Sequence, residues 1–324
     1  MRTLAILIAV ILSAACSDLS TVSNAQSSSS QPASNSDAVW SKILDQGPWP
    51  KSYNFQMFSI GGKLWVLHPE GNWSSADGKT WTKSTLNDAI GNLAFLDYVY
   101  FKGALYGIGN FRGNIERYEL KPEIYRTTDF KKWETLSKNS DLPQRFFYHP
   151  FVFNEKLWMI GGEDKKTKYS DIWNSDDAIT WKKQREGLPF GKRSGSQVVE
   201  LNGKLYLLEN DVWTSNDGLD WKQVTPEIVK GEPIFGYTAV VFDGKIWLLG
   251  CNRNGRFSSQ ILVSRDGQNW EAQSAPWTPR GGIAAAVHDG KIYLTGGKYG
   301  GTPDMPNFIY SNDIWTLTTV EVSK

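Results

Sequence analysis

The sequence contains few of the residues that usually bind metals or form disulfides. Among its 324 residues there are 2 cysteines and 3 histidines. His68, His149 and His288 lie far apart, without the His/Cys/Asp spacing of a metal site. Cys251 is the only cysteine in the body of the chain, so a disulfide framework is excluded. The sequence therefore predicts a protein that uses no metal and no cofactor.

An excess of charge of one sign is also lacking. The chain has 35 Lys and Arg residues against 34 Asp and Glu residues, a net charge of +1. A balance near zero argues against general binding of nucleic acids. There is no Gly-rich phosphate loop before a helix, no Gly-x-Ser-x-Gly elbow and no evident helix.

The chain has one long apolar run, at residues 4–12, which matches the core of a signal peptide and is too short to cross a bilayer. The run ends in LSAAC at residues 12–16, which resembles the bacterial lipobox. We expect residues 1–15 to be a lipoprotein signal peptide and Cys16 to be lipidated. The alternative is an ordinary secretory signal cut after Ala15.

The residues after Cys16 predict a destination in the cell envelope. Ser17, rather than an acidic residue, follows the cysteine, which favours the outer membrane, on its periplasmic or surface side. Residues 16–37 are rich in Ser, Asn, Gln and Ala, a composition typical of a flexible tether. We expect a monomer that meets the membrane only through its N-terminal lipid.

Two patterns recur along the rest of the chain. One is a strand that ends in a polar, Asp-centred turn followed by Trp, and it predicts a hairpin because Asp and Gly tolerate positive φ. Its five copies are residues 72–81, 124–133, 172–181, 212–221 and 261–270. The other joins two apolar strands through a short turn, and its six copies begin at Gly62, Gly103, Glu155, Gly203, Gly244 and Gly290.

Together the patterns give units of roughly 40–50 residues with four strands, named a to d from the inside outward, which are typical of propeller blades. The predicted fold is all-β: a six-bladed β-propeller over residues 38–322, with four antiparallel strands per blade. The sixth unit lacks a d strand after residues 314–317, whereas residues 39–44, with Trp40, have the pattern of one. We expect this N-terminal strand to close the last blade and remove two open sheet edges.

The repeats resemble the kelch family. The b strands of the third and sixth units end in Gly161-Gly162 and Gly296-Gly297, and a Trp follows on strand c. The resemblance implies a kelch-type propeller like those of galactose oxidase and N-acetylneuraminate epimerase. The turns also resemble the Asp boxes of sialidases with one residue fewer between Asp and Gly, and full versions begin only at Ser75, Ser215 and Ser264. Such turns are structural and say little about activity.

The irregular sequence falls on one face, where b–c loops and d-to-a connections meet. The long b–c loops are predicted at residues 110–123, 163–170, 252–260 and 298–312. A cation precedes strand a in four units, at Lys51, Arg145, Arg193 and Arg280. In peptide-binding kelch domains, arginines at this position can grip carboxylates, and guanidinium geometry suits that task. The alternative is that each arginine braces the blades through backbone carbonyls.

Aromatic residues on the same face complete the candidate site. Trp49 and Trp277 lie outside the repeat positions, each between prolines and near a cation, as sugar recognition requires. The alternative is a Pro-Trp clasp between blades. Tyr148 or His149, within the run Arg145-Phe146-Phe147-Tyr148-His149, is a candidate to donate or shuttle a proton, and a core-facing aromatic run is the alternative. The loop arginines Arg112 and Arg253 join the candidate ligand contacts.

These observations favour a non-catalytic binding module for an anionic glycan, small molecule or peptide carboxylate. One alternative is a cofactor-free enzyme on sugar acids, an epimerase or mutarotase or a sialidase-like protein. A galactose-oxidase type of copper site is not supported, because Cys251 has no matching histidines. The other alternative is a scaffold protein of the envelope.

Overall fold

A computed structural model describes residues 36–53, 55–84, 97–114 and 117–321. Residues 1–35, which include Cys16 and most of the predicted tether, lie outside the described residues. The described chain consists of strands, turns and bends, with no helix in those ranges, and none of its elements is a helix able to span a membrane.

The inner strands of the sheets are buried at almost every position and the outermost strands are largely exposed, as expected for sheets that are covered on both faces. Four sheets follow the chain in order, each antiparallel and four-stranded. The first is β2(Gln56–Ile60), β3(Lys63–His68), β4(Gly71–Ser75) and β5(Thr82–Ser84); the second is β6(Asp97–Phe101), β7(Ala104–Asn114), β8(Arg117–Thr127) and β9(Glu134–Ser137); the third is β10(His149–Phe153), β11(Lys156–Ile160), β12(Asp171–Ser175) and β13(Lys182–Glu186); the fourth is β14(Gln197–Leu201), β15(Lys204–Leu208), β16(Val212–Ser215) and β17(Lys222–Thr225).

The fifth and sixth sheets repeat this order with additions. The fifth is β19(Thr238–Phe242), β20(Lys245–Leu249), β23(Gln260–Ser264) and β24(Glu271–Ser274); beside it β18(Ile234–Phe235), β21(Cys251–Arg253) and β22(Arg256–Ser258) form a small sheet. The sixth is β25(Gly281–His288), β26(Lys291–Thr302) and β28(Ile314–Glu321), with β27(Met305–Tyr310) paired to the far end of β26.

The N-terminal strand β1(Ser36–Leu44) completes the sixth sheet by pairing with β28. In its register Val39 faces Thr318 and Trp40 faces Leu317. The predicted pairing of residues 39–44 with the strand at 314–317 is confirmed. The sheet thus joins the two ends of the described chain.

Six apolar clusters lie between neighbouring sheets of the described chain. One of them joins Phe58 and Leu67 of the first sheet to Tyr98 and Leu105 of the second. Four more join the second to the third, the third to the fourth, the fourth to the fifth and the fifth to the sixth. The last joins the sixth back to the first, so every sheet buries both of its faces against a neighbour.

The predicted long b–c loops are in part hairpins. Strands β7 and β8 continue their pairing out to Asn114 and Arg117, β21 pairs with β22, and β26 pairs with β27. The expectation of loops was wrong in these three units because backbone groups that leave a sheet together can keep hydrogen bonding to each other. In the third unit Glu163 makes isolated bridges instead.

Candidate functional site

On the face that carries the extended hairpins, the segment that precedes one sheet packs against the end of the second strand of the neighbouring sheet. Glycines at the ends of the second strands permit this close approach. Gly162 donates its N–H to the carbonyl of Arg193, and Gly297 does the same to Ser52. A Cβ on Gly161 would lie 2.7 Å from the carbonyl oxygen of Arg193, a distance that no side chain tolerates. The double glycine therefore fixes where the predicted cations enter this face.

Arg145 shows what the predicted cations contact. Its guanidinium donates to both carboxylate oxygens of Asp171, at 2.6 and 3.1 Å, and to the carbonyl of Gly161 at 2.8 Å. The indole of Trp173 donates to the same carboxylate at 2.8 Å. One face of the guanidinium lies 3.8 Å from the ring centroid of Tyr169. Arg145, which precedes the third sheet, thus forms a buried ion pair with Asp171, and the partly buried Trp173 completes a triad.

The triad recurs wherever the sequence has an arginine at this position. Arg193 pairs with Asp211, which accepts from Trp213, and Arg280 pairs with Asp313, which accepts from Trp315. Arg193 and Arg280 are 5% and 2% exposed. In the units without that arginine, the aspartate position holds Gly71, Glu123 or Gln260. Arginine and aspartate therefore occur together, as two halves of one contact.

The electrostatics of the triads follow from this geometry. Burial acts to raise the pKa of Asp171, but hydrogen bonds from Arg145 and Trp173 outweigh it and hold the pKa below its usual value. Burial, opposed by Arg280 and Trp315, gives the same outcome at Asp313. Because each guanidinium already has a carboxylate, a ligand would have to displace an aspartate to reach it. The geometry favours the brace, through Gly161, Phe190 and Gly296 carbonyls, over a grip on a ligand.

The two tryptophans outside the repeats lie in the core. Trp49 is 1% exposed and meets Trp81 edge-on at 4.8 Å between ring centroids. Trp277 is 4% exposed and meets Trp40 in the same way at 4.7 Å. Neither ring has a free face for a sugar, and both fit the clasp between sheets.

Tyr148 is also committed to a structural contact. Its hydroxyl donates to the carbonyl of Ile108 in the second sheet at 3.1 Å, and its side chain is 1% exposed. Beside it, Asp97, Arg145 and Tyr148 line a cavity of about 10 Å³, room for about one water. Burial raises the pKa of Asp97 well above its usual value. The cavity is too small for a sugar, so this aromatic run faces the core.

The remaining predicted contacts differ in their surroundings. Arg253 donates to Glu232 at 2.8 Å and is half-buried. The side chain of Arg112 lies outside the described part of the structure, as does that of His149. Lys51 is exposed and makes no ion pair with another described residue. Of the four predicted cations, Lys51 alone is available to solvent.

A cluster that the sequence did not indicate begins at Tyr53, two residues after Lys51, and lies where the first and sixth sheets meet. Lys298 follows Gly297 on β26, is 7% exposed and has no carboxylate within 4.0 Å among the described side chains. Its amine lies 4.2 Å from the ring centroid of Tyr53 and 4.4 Å from that of Phe308. Tyr53 in turn stacks on Tyr310 at 5.4 Å. We call Lys298, Tyr53, Phe308 and Tyr310 the corner cluster.

Burial lowers the pKa of Lys298 to about 8. No carboxylate of the described residues opposes that effect, in contrast to the triads. Phe308 is 45% exposed, and most other residues of β27 are exposed as well, so the cluster opens to solvent on the side of this hairpin. The corner cluster thus combines an amine that lacks an anion with aromatic faces at the surface.

One signal in the sequence bears on what was missed. Asp-Ile-Trp or Asp-Val-Trp lies at the start of strand c only in the three units whose strand a follows an arginine, so the triads could have been predicted. The corner cluster was not readable, because it needs the side-by-side placement of Tyr53 and a hairpin 245 residues later. Among the described residues no group of His, Cys, Asp and Glu could hold a metal ion.

Comparisons with known proteins agree with this fold. The family described as DUF6242 beta propeller domain matches residues 127–234, which contain the third and fourth sheets. The solved structure of YjhT has a TM-score of 0.68 with this chain, covering 85% of it and 97% of YjhT, at 14% sequence identity. No curated protein matches the sequence. The chain is all-β with a β-propeller domain, as predicted, and the likeness to YjhT concerns the fold alone.

Proposed function

We propose that the six four-stranded sheets are the blades of one closed propeller over residues 38–322, of the kelch type. The support is the set of apolar clusters, which link each sheet to the next and the sixth back to the first. Pairing of β1 with β28 completes the last blade from the other end of the chain. In such a ring, the blades form a rigid scaffold, and the hairpins on one face can bind a ligand.

The function that the geometry supports best is binding of an anionic ligand, a glycan or a carboxylate-bearing molecule, at the corner cluster. The observation that carries this proposal is the buried residue Lys298, whose amine has no carboxylate partner among the described side chains. Buried charges are normally paired, and an anion from outside would provide the partner. Exposed Lys51 adds a second cation beside the cluster.

The aromatic rings indicate the rest of the ligand. Flat aromatic faces contact the apolar side of a sugar ring while polar groups hold its substituents. Tyr53 and Tyr310 stack on each other, and Phe308 presents nearly half of its surface to solvent. The triads do not contact the ligand in this proposal and serve to hold the face.

The test measures the binding of N-acetylneuraminate, glucuronate and glucose by thermal shift and by calorimetry. The acids should bind and glucose should not, and Lys298→Met should weaken the acids about tenfold or more, since hydrogen bonds to charged groups contribute about 1.5–3 kcal/mol. Lys83→Met is the matched control, because Lys83 also lies over an aromatic ring but is exposed. Equal binding of acids to Lys298→Met and the wild type would sink the proposal.

We propose further that the propeller is exported and held at the outer membrane by a lipid on Cys16. The support is the lipobox-like LSAAC and the polar composition of residues 16–37. Cys16→Ser should leave the protein folded and move it from the membrane fraction to the soluble fraction. A variant that still sediments with membranes would show that something else holds it.

A further inference from the structure

The amine of Lys298 has surroundings that no other described lysine shares. Lys245 lies over Trp247 but pairs with Asp243 at 3.5 Å, and Lys156 pairs with Asp176 at 2.6 Å. Lys83 and Lys102 lie over rings at exposed positions. Lys298 is buried between two rings and has no carboxylate within ion-pair distance among the described residues.

The backbone holds this amine in one place. Gly297 N–H donates to the carbonyl of Ser52, and Ser311 N–H donates to the carbonyl of Gly297, so Lys298 sits between two tied segments. It also pairs with Tyr310 in the register of β26 and β27. Because Tyr53 follows Ser52 and Tyr310 precedes Ser311, the same ties position the stacked Tyr53 and Tyr310 rings, of which Tyr53 lies against the amine.

We propose that Lys298 is a nucleophilic amine that forms a reversible imine with a carbonyl compound bound at the corner cluster. This inference rests on the proposed function in that the expected ligand carries a carboxylate beside its carbonyl, as in a 2-oxo acid or an open-chain sugar acid. Lys51 is exposed and lies two residues before Tyr53 in the sequence, and it is the cation that we expect the carboxylate to meet while Lys298 meets the carbonyl.

The reaction balances without an oxidant or a cofactor. The lone pair of the neutral Nζ adds to the carbonyl carbon, the C=O π pair moves to oxygen, and a proton passes from nitrogen to that oxygen. A proton from solvent then converts the carbinolamine hydroxyl into water, which leaves as the nitrogen lone pair forms the C=N bond, and the remaining N–H proton returns to solvent. Hydrolysis reverses each step and releases the ligand.

The fraction of neutral amine makes the reaction feasible near neutral pH. With a pKa of about 8, about a quarter of the Lys298 amines are neutral at about pH 7.5, against about one in a thousand for an ordinary lysine. A lysine that loses its proton because it is desolvated is a known route to a nucleophile. The rings around Lys298 supply that desolvation.

The experiment traps the imine with cyanoborohydride. The full protein is incubated at about pH 7.5 with glyoxylate, which has a carbonyl and a carboxylate, or with propanal, which has only the carbonyl. Peptide mapping by mass spectrometry then gives the extent of alkylation of each lysine. We expect Lys298 to be labelled at least about tenfold faster than Lys83, given the difference in neutral amine, and Lys83→Met to leave that rate unchanged.

The outcomes separate the two proposals. If glyoxylate labels Lys298 faster than propanal does, both proposals are supported. If the two reagents label Lys298 equally fast, the imine is supported and the anionic ligand is overturned. Labelling spread over lysines according to exposure, with Lys298 no faster than Lys83, overturns the imine even if acids bind. A wild-type labelling rate for Lys298 that levels off above about pH 8 supports it without any variant, and a rate still rising at about pH 10 contradicts it.

Discussion

The guanidinium of Arg145 gives up its water for three protein acceptors within its own sheet. Removing one partner of such a buried pair leaves the other charge without compensation, which costs about 3–5 kcal/mol. Arg145→Ala should therefore lower the free energy of unfolding in urea by about that amount. Lys156→Ala, which breaks an ion pair whose side chains are 39% and 63% exposed, should change it by at most about 1 kcal/mol.

A double variant separates the charge from the packing at this site. Arg145→Met with Asp171→Leu removes both charges, and replacing a buried pair with apolar groups is often neutral. It should recover most of the stability that Arg145→Ala loses. If Arg145→Ala costs no more than Lys156→Ala, the triad is not a brace.

At Lys298 the prediction concerns pH. The amine of the unfolded chain keeps its proton up to the ordinary lysine pKa, whereas burial lets the folded protein lose it near pH 8. Between these values the unfolded state binds more protons, so this lysine's contribution to stability rises with pH. Lys298→Met should be the more stable protein at neutral pH, by roughly 1–3 kcal/mol, and this advantage should shrink from about pH 8 to about pH 10.5. Urea midpoints of both proteins across that range provide the measurement, and a constant difference would contradict it.

The sequence alone located the arginines but not the partners that fix their roles. The positions of the arginines were evident, but their roles depended on a partner that lies two residues before a tryptophan on another strand, as at Asp171 and Trp173. Four like charges around one axis require balancing anions, and the aspartates provide them for three of the four. Trp49 and Trp277 stood out only because they lie outside the repeat positions. A residue outside those positions can still be buried between the sheets that the repeats form.

Among the elements, the short turns between the first two strands of each sheet have one geometry. Both turn residues take positive φ in all six described copies, as at Asn202 (53°) and Gly203 (73°). Five copies have glycine second, whereas the third has Glu155 at 57°. This conformation costs a non-glycine residue about 1–2 kcal/mol.

Glu155→Gly should therefore stabilise the protein, by roughly 0.5–1 kcal/mol once the added freedom of the unfolded chain is subtracted. Gly203→Ala is the matched control and should destabilise by a similar amount, because nothing lies within 4 Å of its Cβ position and only the backbone is strained. Thermal and urea unfolding of both variants provide the measurement. A loss of stability in Glu155→Gly would mean that Glu155 makes a contact worth more than the strain.

The hairpins themselves could be predicted because their signals are local. The hydroxyl of Ser215 donates to the carboxylate of Asp217 within one turn, and the indole of Trp221 donates to the carbonyl of Gly218 at 3.0 Å. The extension of β26 and β27 could not be predicted in this way. Its residues, MPNFIY on one side, have neither the alternation nor the burial of a sheet strand, since pairing outside the sheet needs only the two backbones.

For the whole molecule, the repeats predicted the sheets and the missing sixth outer strand predicted β1. What repeats cannot supply is the junction between the sixth and first sheets, where side chains far apart in the sequence, such as Trp49 and Ala284, share one apolar cluster. The four-stranded sheets and the outer strand β1 therefore follow from the sequence, whereas the corner cluster, where the first and sixth sheets meet, does not.

Closure provides the last prediction. Strand β1 pairs with β28 from Ser36 to Leu44, and Trp40 packs edge-on against Trp277. Deleting residues 36–44 exposes the edge of β28 and part of the cluster between the fifth and sixth sheets, so both hydrogen bonding and apolar burial are lost. At about 2–4 °C per kcal/mol for a domain of this size, we expect the melting temperature to fall by more than about 10 °C. Val39→Thr, at a position 46% exposed on the same strand, should change the melting temperature little.

A synthetic peptide of residues 36–46 added to the deleted protein should raise its melting temperature in a concentration-dependent way, because a ligand that binds only the folded state stabilises that state. An unchanged melting temperature after deletion, or no rescue by a peptide that is shown to be soluble, would mean that β1 does not close the ring.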